Sequence, residues 1–477
     1  MTLRLLLSGF LSAALPLFAA ATITISNADG AGEGFNDPTI VAPAGGNTGT
    51  TIGQQRLNVF QAAANIWGAT LNSVPAIVVQ AQFNPQACNS VGAILGSAGP
   101  SNFISDSSGT TLAPANTHFH LALANKLAGA DVIPAAPEIL ATFNSNLGSG
   151  GVGVGVGCGF SFYMGLDNNP PVGQVDLLPV ILHELAHGLG FSTPTNGSTG
   201  AKLLGKDHKF DTFLFDLTQN LSWPVMTDGQ RATSALNPRK LVWTGANVSA
   251  AVPTVLTQGT PELVISAPAT LARTYLASAF QGALPPYPNL SFPGVTGEVM
   301  PASDAIAPFD DACSAITATS ALGLNGKIAV IDRGNCLMNT KIANAAAAGA
   351  IGVILINNTA GGPPTVTGAD SVPAIPSLLI SQADGALLRN QLRFRSRNRS
   401  GIFATVRSNT AIFSGADSIG RALMFSPDIF QSGSSISHWD PSMFRSQLME
   451  PNFSAGLTLS VNPPQDLSFK LLQDMGW

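Results

Sequence analysis

The chain has 477 residues, of which 45% are apolar and only 10% charged, with a formal net charge of -5 at pH 7. That length exceeds what one hydrophobic core usually fills and points to two or more structural units. The sparse charge excludes charge-driven disorder and supplies no basic face for nucleic acid.

The first predicted element is an address. Residues 1–21 carry one basic residue, Arg4, an apolar run from 5 to 18, and small residues at Ala19, Ala20 and Ala21, which is the layout of a secretory signal peptide. Pro16 and the alanines leave the run too short for a membrane anchor, so the mature chain is expected to be exported, periplasmic or extracellular, with no membrane span. Disulfides persist in such compartments. The cysteines are Cys88, Cys158, Cys313 and Cys336; of the three possible connectivities, Cys88–Cys158 with Cys313–Cys336 keeps each bridge inside one candidate domain. No CxxC spacing supports a zinc-thiolate site.

Within 54–71, Leu57, Phe60, Ala64, Trp67 and Leu71 recur at three and four residues, predicting one apolar helix face, and Pro75 follows its end. Residues 77–83 alternate Ile77, Val79, Ala81 and Phe83 with more polar positions, predicting a half-buried strand. A weaker strand is expected over 138–144. The glycine-rich run 148–160 does not fit GxGxxG and reads as an extended edge strand or loop. Residues 176–190 (DLLPVILHELAHGLG) predict a helix with Asp176 as its cap. The segment 326–357 reads strand, alanine-rich helix, strand, a compact unit of its own. Arg389, Arg393, Arg395, Arg397 and Arg399 form the main basic run, expected to be a solvated edge rather than an anionic-partner site.

The chemistry sits in His183-Glu184-Leu185-Ala186-His187, an HExxH motif on the predicted helix. Positions i and i+4 share a face, so both imidazoles can reach one metal ion, while Glu184, offset by about 100 degrees, can act as general base on a zinc-bound water. Zinc held by three protein ligands keeps an open position for hydrolysis. The extended signature would place the third histidine at 193, but that residue is Thr193. His208, His118, His120, Asp207, Asp211 and the distant His438 are the candidates. Asp207, His208 and Lys209 read as surface loop, and His118 and His120 as hydrogen-bonded structural histidines.

HELAHGLGF, Ser437-His438-Trp439-Asp440, Gln447-Leu448-Met449-Glu450-Pro451 and the ending Asp474-Met475-Gly476-Trp477 together resemble the leishmanolysin branch of the metzincins. In that branch a long insertion separates the HExxH helix from the third histidine. The resemblance implies that His183, His187 and His438 bind zinc and that Met449 is the Met-turn methionine beneath the site. Residues 311–357, with Asp332-Arg333-Gly334-Asn335-Cys336 and then Ile375-Pro376-Ser377-Leu378, resemble the protease-associated (PA) domain, a non-catalytic module that covers or helps select substrate. In many such domains a disulfide occupies the place of Cys313 and Cys336.

The expectation is therefore an α+β, metzincin-like zinc protease domain interrupted by an inserted α/β PA domain. Its parts are a signal peptide (1–21), a first protease segment (22–255), the PA domain (256–407) and a second protease segment (408–477). The expected activity is secreted, zinc-dependent endopeptidase hydrolysis of protein or peptide substrates. A secreted binding or adhesion protein with a structural, inactive zinc site is the rival; the intact Glu184 argues against it, since a purely structural site needs no such carboxylate. A zinc hydrolase acting on other bonds is a third reading.

Overall fold

The structure is a computed structural model that describes residues 20–90, 92–279, 294–363, 374–454 and 456–477. The expected signal peptide lies outside the described residues except for Ala20 and Ala21. No helix among the described residues is long and apolar enough to cross a membrane.

The architecture is mixed α+β. In chain order the first part contains β1 (Ile23–Asn27), α1 (Ile52–Thr70), β2 (Ile77–Asn84), β3 (Gly96–Pro100), β4 (Phe103–Ser105), β5 (His118–His120), α2 (Leu121–Ala128), β6 (Ile139–Asn144) and α3 (Leu177–Leu189). Four strands form a sheet of order β1-β2-β6-β3. The first three are parallel and β3 runs antiparallel at the edge. Alternation places Ile77, Val79, Ala81 and Phe83 of β2 in the core, as their period of two requires.

Helix α1 starts where the Thr51 hydroxyl accepts the Gln54 N–H, a side-chain cap that satisfies one of the otherwise orphaned donors. Its buried face is Val59, Phe60, Ala63, Ala64 and Trp67, whereas Leu57 is 44% exposed. The expected stripe holds at Phe60, Ala64, Trp67 and Leu71, which are buried; Leu57 lies off its edge, and Val59 and Ala63 widen the face on the other side. The Trp67 indole N–H donates to the Leu182 carbonyl at 3.0 Å and locks α1 onto α3. Helix α3 is apolar nearly all round, as a helix buried on every side must be.

Residues 258–413 build a second, seven-stranded sheet. Its order is Arg273–Leu276, Gln258–Ala267, Phe403–Phe413, Val295–Pro301, Ile328–Asp332, Gly352–Ile356 and Ser377–Ile380. Both faces are covered. Ile328, Val330, Ile354 and Ile356 pack with Leu388 and Leu392 on one side, while Ala329, Ile331, Val353 and Leu355 pack with Leu324, Ile342 and Ala345 on the other. Parallel strands buried on two faces read as continuous apolar runs, which is how IAVID and GVILI appear. A separate core joins residues before 257 to residues after 413. Gln258 and Phe413 are partners across adjacent strands, so the chain enters and leaves the large sheet at one place.

Both expected disulfides are formed, Cys88–Cys158 and Cys313–Cys336. The glycine-rich run holds a short hairpin, Leu147–Ser149 with Val152–Val154. Of the basic run, Arg389 pairs with Asp332 at 2.7 Å, and Arg393, Arg395, Arg397 and Arg399 are exposed.

Candidate metal centre

The site is built on α3. The Asp176 carboxylate accepts the Leu178 N–H at 3.1 Å and starts the helix. Gly190, at φ 147°, ends it by donating to the Ala186 and His187 carbonyls. That φ is one L-residues with a Cβ rarely adopt; it turns the chain so that the Phe191 carbonyl faces back to the ring of His187. The Trp477 indole N–H donates to the Leu189 carbonyl at 2.8 Å and closes the helix end.

His438 reaches this helix through a stack of returning backbone. After the large sheet the chain lies against Leu241–Trp243: the Trp243 N–H donates to the Ala422 carbonyl and the Met424 N–H to the Leu241 carbonyl. The next layer is fixed in turn, with the Phe425 N–H on the His438 carbonyl and the Trp439 N–H on the Met449 carbonyl. His183 and His438 are 255 residues apart in sequence, yet their Nε2 atoms are 3.1 Å apart. His187 Nε2 is also 3.1 Å from His183 Nε2.

Each imidazole is oriented from behind. His183 Nδ1 lies 2.7 Å from the Leu448 carbonyl, His187 Nδ1 2.8 Å from the Phe191 carbonyl, and His438 Nδ1 2.8 Å from the Ser434 carbonyl. A carbonyl oxygen only accepts, so every ring carries its proton on Nδ1 and turns a bare Nε2 lone pair toward the other two. Three lone pairs at that separation repel unless a cation sits among them. Burial also holds the rings neutral, pushing His183 down to about 4, His187 to about 3 and His438 well below the usual range. The donor set fits a borderline-soft divalent ion such as zinc. Among the described residues, this is the group of three side chains able to hold a metal ion, with ligand atoms that all lie within 4.8 Å of one another.

Glu184 opens on the same cavity, about 860 Å³ in volume, which is bounded by β3, α3 and the segments around His438 and Glu450. Burial raises its carboxyl to about 8, partly offset by the Ala98 N–H of β3. The turn carrying Met449, which is fully buried, is tied down by acids. Asp466 accepts the Leu448 N–H at 2.6 Å and Glu450 the Gln447 N–H at 2.8 Å, so the Leu448 carbonyl stays aimed at His183.

The remaining sequence candidates lie elsewhere. His208, expected on a surface loop, is fully buried. Its backbone bridges that of His118, and its Nδ1 accepts the Phe210 N–H; strand-like pairing to a segment 90 residues away has no local sequence signal. His120 Nε2 lies 2.7 Å from Ser192 Oγ. The ring of His120 is 4.7 Å from that of His208; both ring nitrogens of His118, His120 Nδ1 and His208 Nε2 meet no hydrogen-bond partner, so His118 and His120 are less fully satisfied than expected. Asp207 pairs with Lys202 and Asp211 with the Thr195 hydroxyl. Sequence reasoning missed the carbonyls of Phe191, Ser434 and Leu448 and the edge strand β3; Gly190 was the one readable sign of the turn behind His187.

No curated protein matches this sequence. Among solved structures, the chain is similar to the aminopeptidase from Aneurinibacillus sp. strain AM-1 at 26% identity, over 32% of this chain and 31% of that one, with a TM-score of 0.24. It is also similar to a zinc aminopeptidase from Bacillus subtilis (18% identity, 46% and 44% covered, TM-score 0.23). A third is the peptidase M28 precursor from Shewanella amazonensis SB2B (15% identity, 48% and 51% covered, TM-score 0.22). The chain spans about a third to a half of the length of these structures. The family model described as PA domain matches residues 295–388, and the expected PA domain is present.

Proposed function

We propose that the protein is an exported, zinc-dependent endopeptidase of metzincin type, resembling the leishmanolysin branch. In this reading residues 22–255 and 408–477 form the catalytic domain, and residues 256–407, which include the PA domain, are inserted in it. The observation that carries the proposal is the convergence of three Nε2 lone pairs, each ring held by a backbone carbonyl, beside a buried glutamate in an open cavity.

His183, His187 and His438 would hold the zinc. When bound, zinc supplies a Lewis acid that lowers the pKa of water toward ~7 and polarises a carbonyl. Glu184 takes the proton of the attacking water on its carboxylate and returns it to the leaving nitrogen, so one side chain acts first as base and then as acid. The Ala98 N–H fixes the orientation of that carboxylate. β3 ends its sheet beside Glu184, and its unpaired backbone edge suits an extended peptide laid along it. Met449, fully buried, is read as the Met-turn methionine beneath the site.

Export is proposed from the composition of residues 1–21. The Ala21 N–H is bonded to the Gly68 and Leu71 carbonyls, a contact that cleavage after Ala21 would remove; N-terminal sequencing of the exported chain tests where a leader is cut.

Zinc content per chain and casein hydrolysis, each with and without a chelator, test the proposal together with Glu184→Ala. That variant should keep about one zinc and lose peptidase activity. Loss of zinc with activity would count against the assigned role, and a zinc-loaded wild-type protein that leaves peptides intact would sink the endopeptidase reading.

A further inference from the structure

A second cavity of about 520 Å³ lies between the PA domain and the segments that follow it in sequence. One wall is the 357–363 loop; the other is formed by 425–431 and 440–442. Glu450, Asn452 and Phe453 line this cavity and the metal pocket alike, so the two adjoin along a common wall.

The walls are fastened to each other. The Arg239 guanidinium donates to the Ala277 carbonyl at 2.8 Å and to Ser278 Oγ at 3.2 Å. The Ser278 hydroxyl donates to the Pro363 carbonyl at 3.0 Å. On its other side Arg239 faces Asp440 at 3.8 Å, two residues beyond His438. The loop of the PA domain is thus connected, contact by contact, to the segment that delivers the third histidine.

The charge in this half is one-sided. Arg239 is taken up by Asp440, whereas Asp428 is exposed and makes no ion pair among the described residues. Across the gap, Gly362 presents no side chain, and a Cβ there would stand 3.8 Å from the Asp428 carboxylate. Partial burial and the charge of Asp384 raise the pKa of Asp428. Ile429 and Phe453 add exposed apolar surface nearby. A long cationic side chain has the matching chemistry: an aliphatic stem for the apolar surface and a charged head for the acid.

We propose that the interdomain cavity is a specificity subsite continuous with the metal pocket, and that it takes a lysine or arginine side chain of an extended polypeptide substrate against Asp428. This rests on the peptidase reading above. It is tested with the full-length zinc-loaded protein and two sets of fluorogenic peptides, one of about four residues and one of about ten, each with lysine or glutamine scanned along its length. The long peptides should show a lysine preference that the short ones lack. Asp428→Asn should lower kcat/KM for the long lysine peptide roughly twofold to fivefold, the scale of one partly exposed ion pair, and leave the short peptides unchanged. Asp428→Lys should favour glutamate at the same position. A lysine preference that survives both substitutions overturns the proposal, as does an equal preference in short peptides. A parallel arm measures anisotropy of labelled long peptides on Glu184→Ala protein with and without Asp428→Asn. If peptides bind with the expected dependence on Asp428 but wild type never cleaves them, the peptidase reading fails and the subsite stands; cleavage without that dependence overturns the subsite and leaves the peptidase reading standing.

Discussion

Burying His120 should make the native state sensitive to acid in a way one substitution can isolate. Its ring is fully buried against Phe103, His208 and Ser192, and burial holds it down to about 3 from an ordinary value of 6.5. As pH falls below about 6.5 the unfolded chain takes up a proton here, while the folded chain does not until about pH 3. Stability is therefore fully present at neutral pH and is lost on acidification through that window, with a limiting slope of about 1.4 kcal/mol per pH unit. Between roughly pH 7.5 and 4.5 the loss from this one group comes to about 2.5 kcal/mol. His120→Gln keeps a polar atom for Ser192 and cannot titrate, so it should remove that component even if it lowers stability at every pH. Urea unfolding of the chelated protein, followed by tryptophan fluorescence, reads the relevant part: all five tryptophans, Trp67, Trp223, Trp243, Trp439 and Trp477, lie outside residues 258–413. Buried carboxylates with raised pKa values, among them Glu184, Asp211 and Glu450, tilt the curve the opposite way, but they are common to both proteins and cancel in the difference. Parallel stability-pH curves for wild type and variant would refute the argument.

His438→Ala should purify largely free of zinc and inactive, because two histidines alone hold zinc poorly, whereas His118→Ala and His208→Ala should each retain about one zinc per chain; elemental analysis decides, and loss of metal in the His208 variant alone would overturn the ligand assignment. Gly190→Ala should destabilise by roughly 1–3 kcal/mol, the cost of a strained backbone, since its φ is 147° and the new Cβ would stand 3.1 Å from the Met475 side chain. It should also weaken zinc binding by displacing the Phe191 carbonyl from His187. Equal thermal stability and equal zinc affinity would show that the turn tolerates a side chain.

What could be read from the sequence was what short periods encode. The α1 and α3 helices, β2, and the 326–357 unit each carry their pattern within a dozen or so residues, and the HExxH spacing places two imidazoles by helix geometry alone. His438 came from resemblance, since nothing local marks a histidine that returns over 255 residues. The antiparallel strands of the large sheet were invisible for a related reason: Gln258–Ala267 pairs with Phe403–Phe413, a partnership across an entire module, and neither run is apolar enough to declare itself. His208 was misplaced because three polar residues in a row look solvated until the strand that covers them is known. The carbonyls that orient the rings belong to Phe191, Ser434 and Leu448, and a backbone oxygen has no letter of its own.

The order of the ligands along the chain also sets an order in time. His183 leaves the ribosome 255 residues ahead of His438 and His187 four residues later, an interval of about 13–50 s at ordinary rates of synthesis of 5–20 residues per second. Throughout that interval the helix holds two of its three metal-binding rings, and the whole 258–413 module must be made before the third exists. On the proposed reading, a nascent chain with the HExxH helix already formed would therefore lack a finished site, and the machinery producing it would not meet a premature protease.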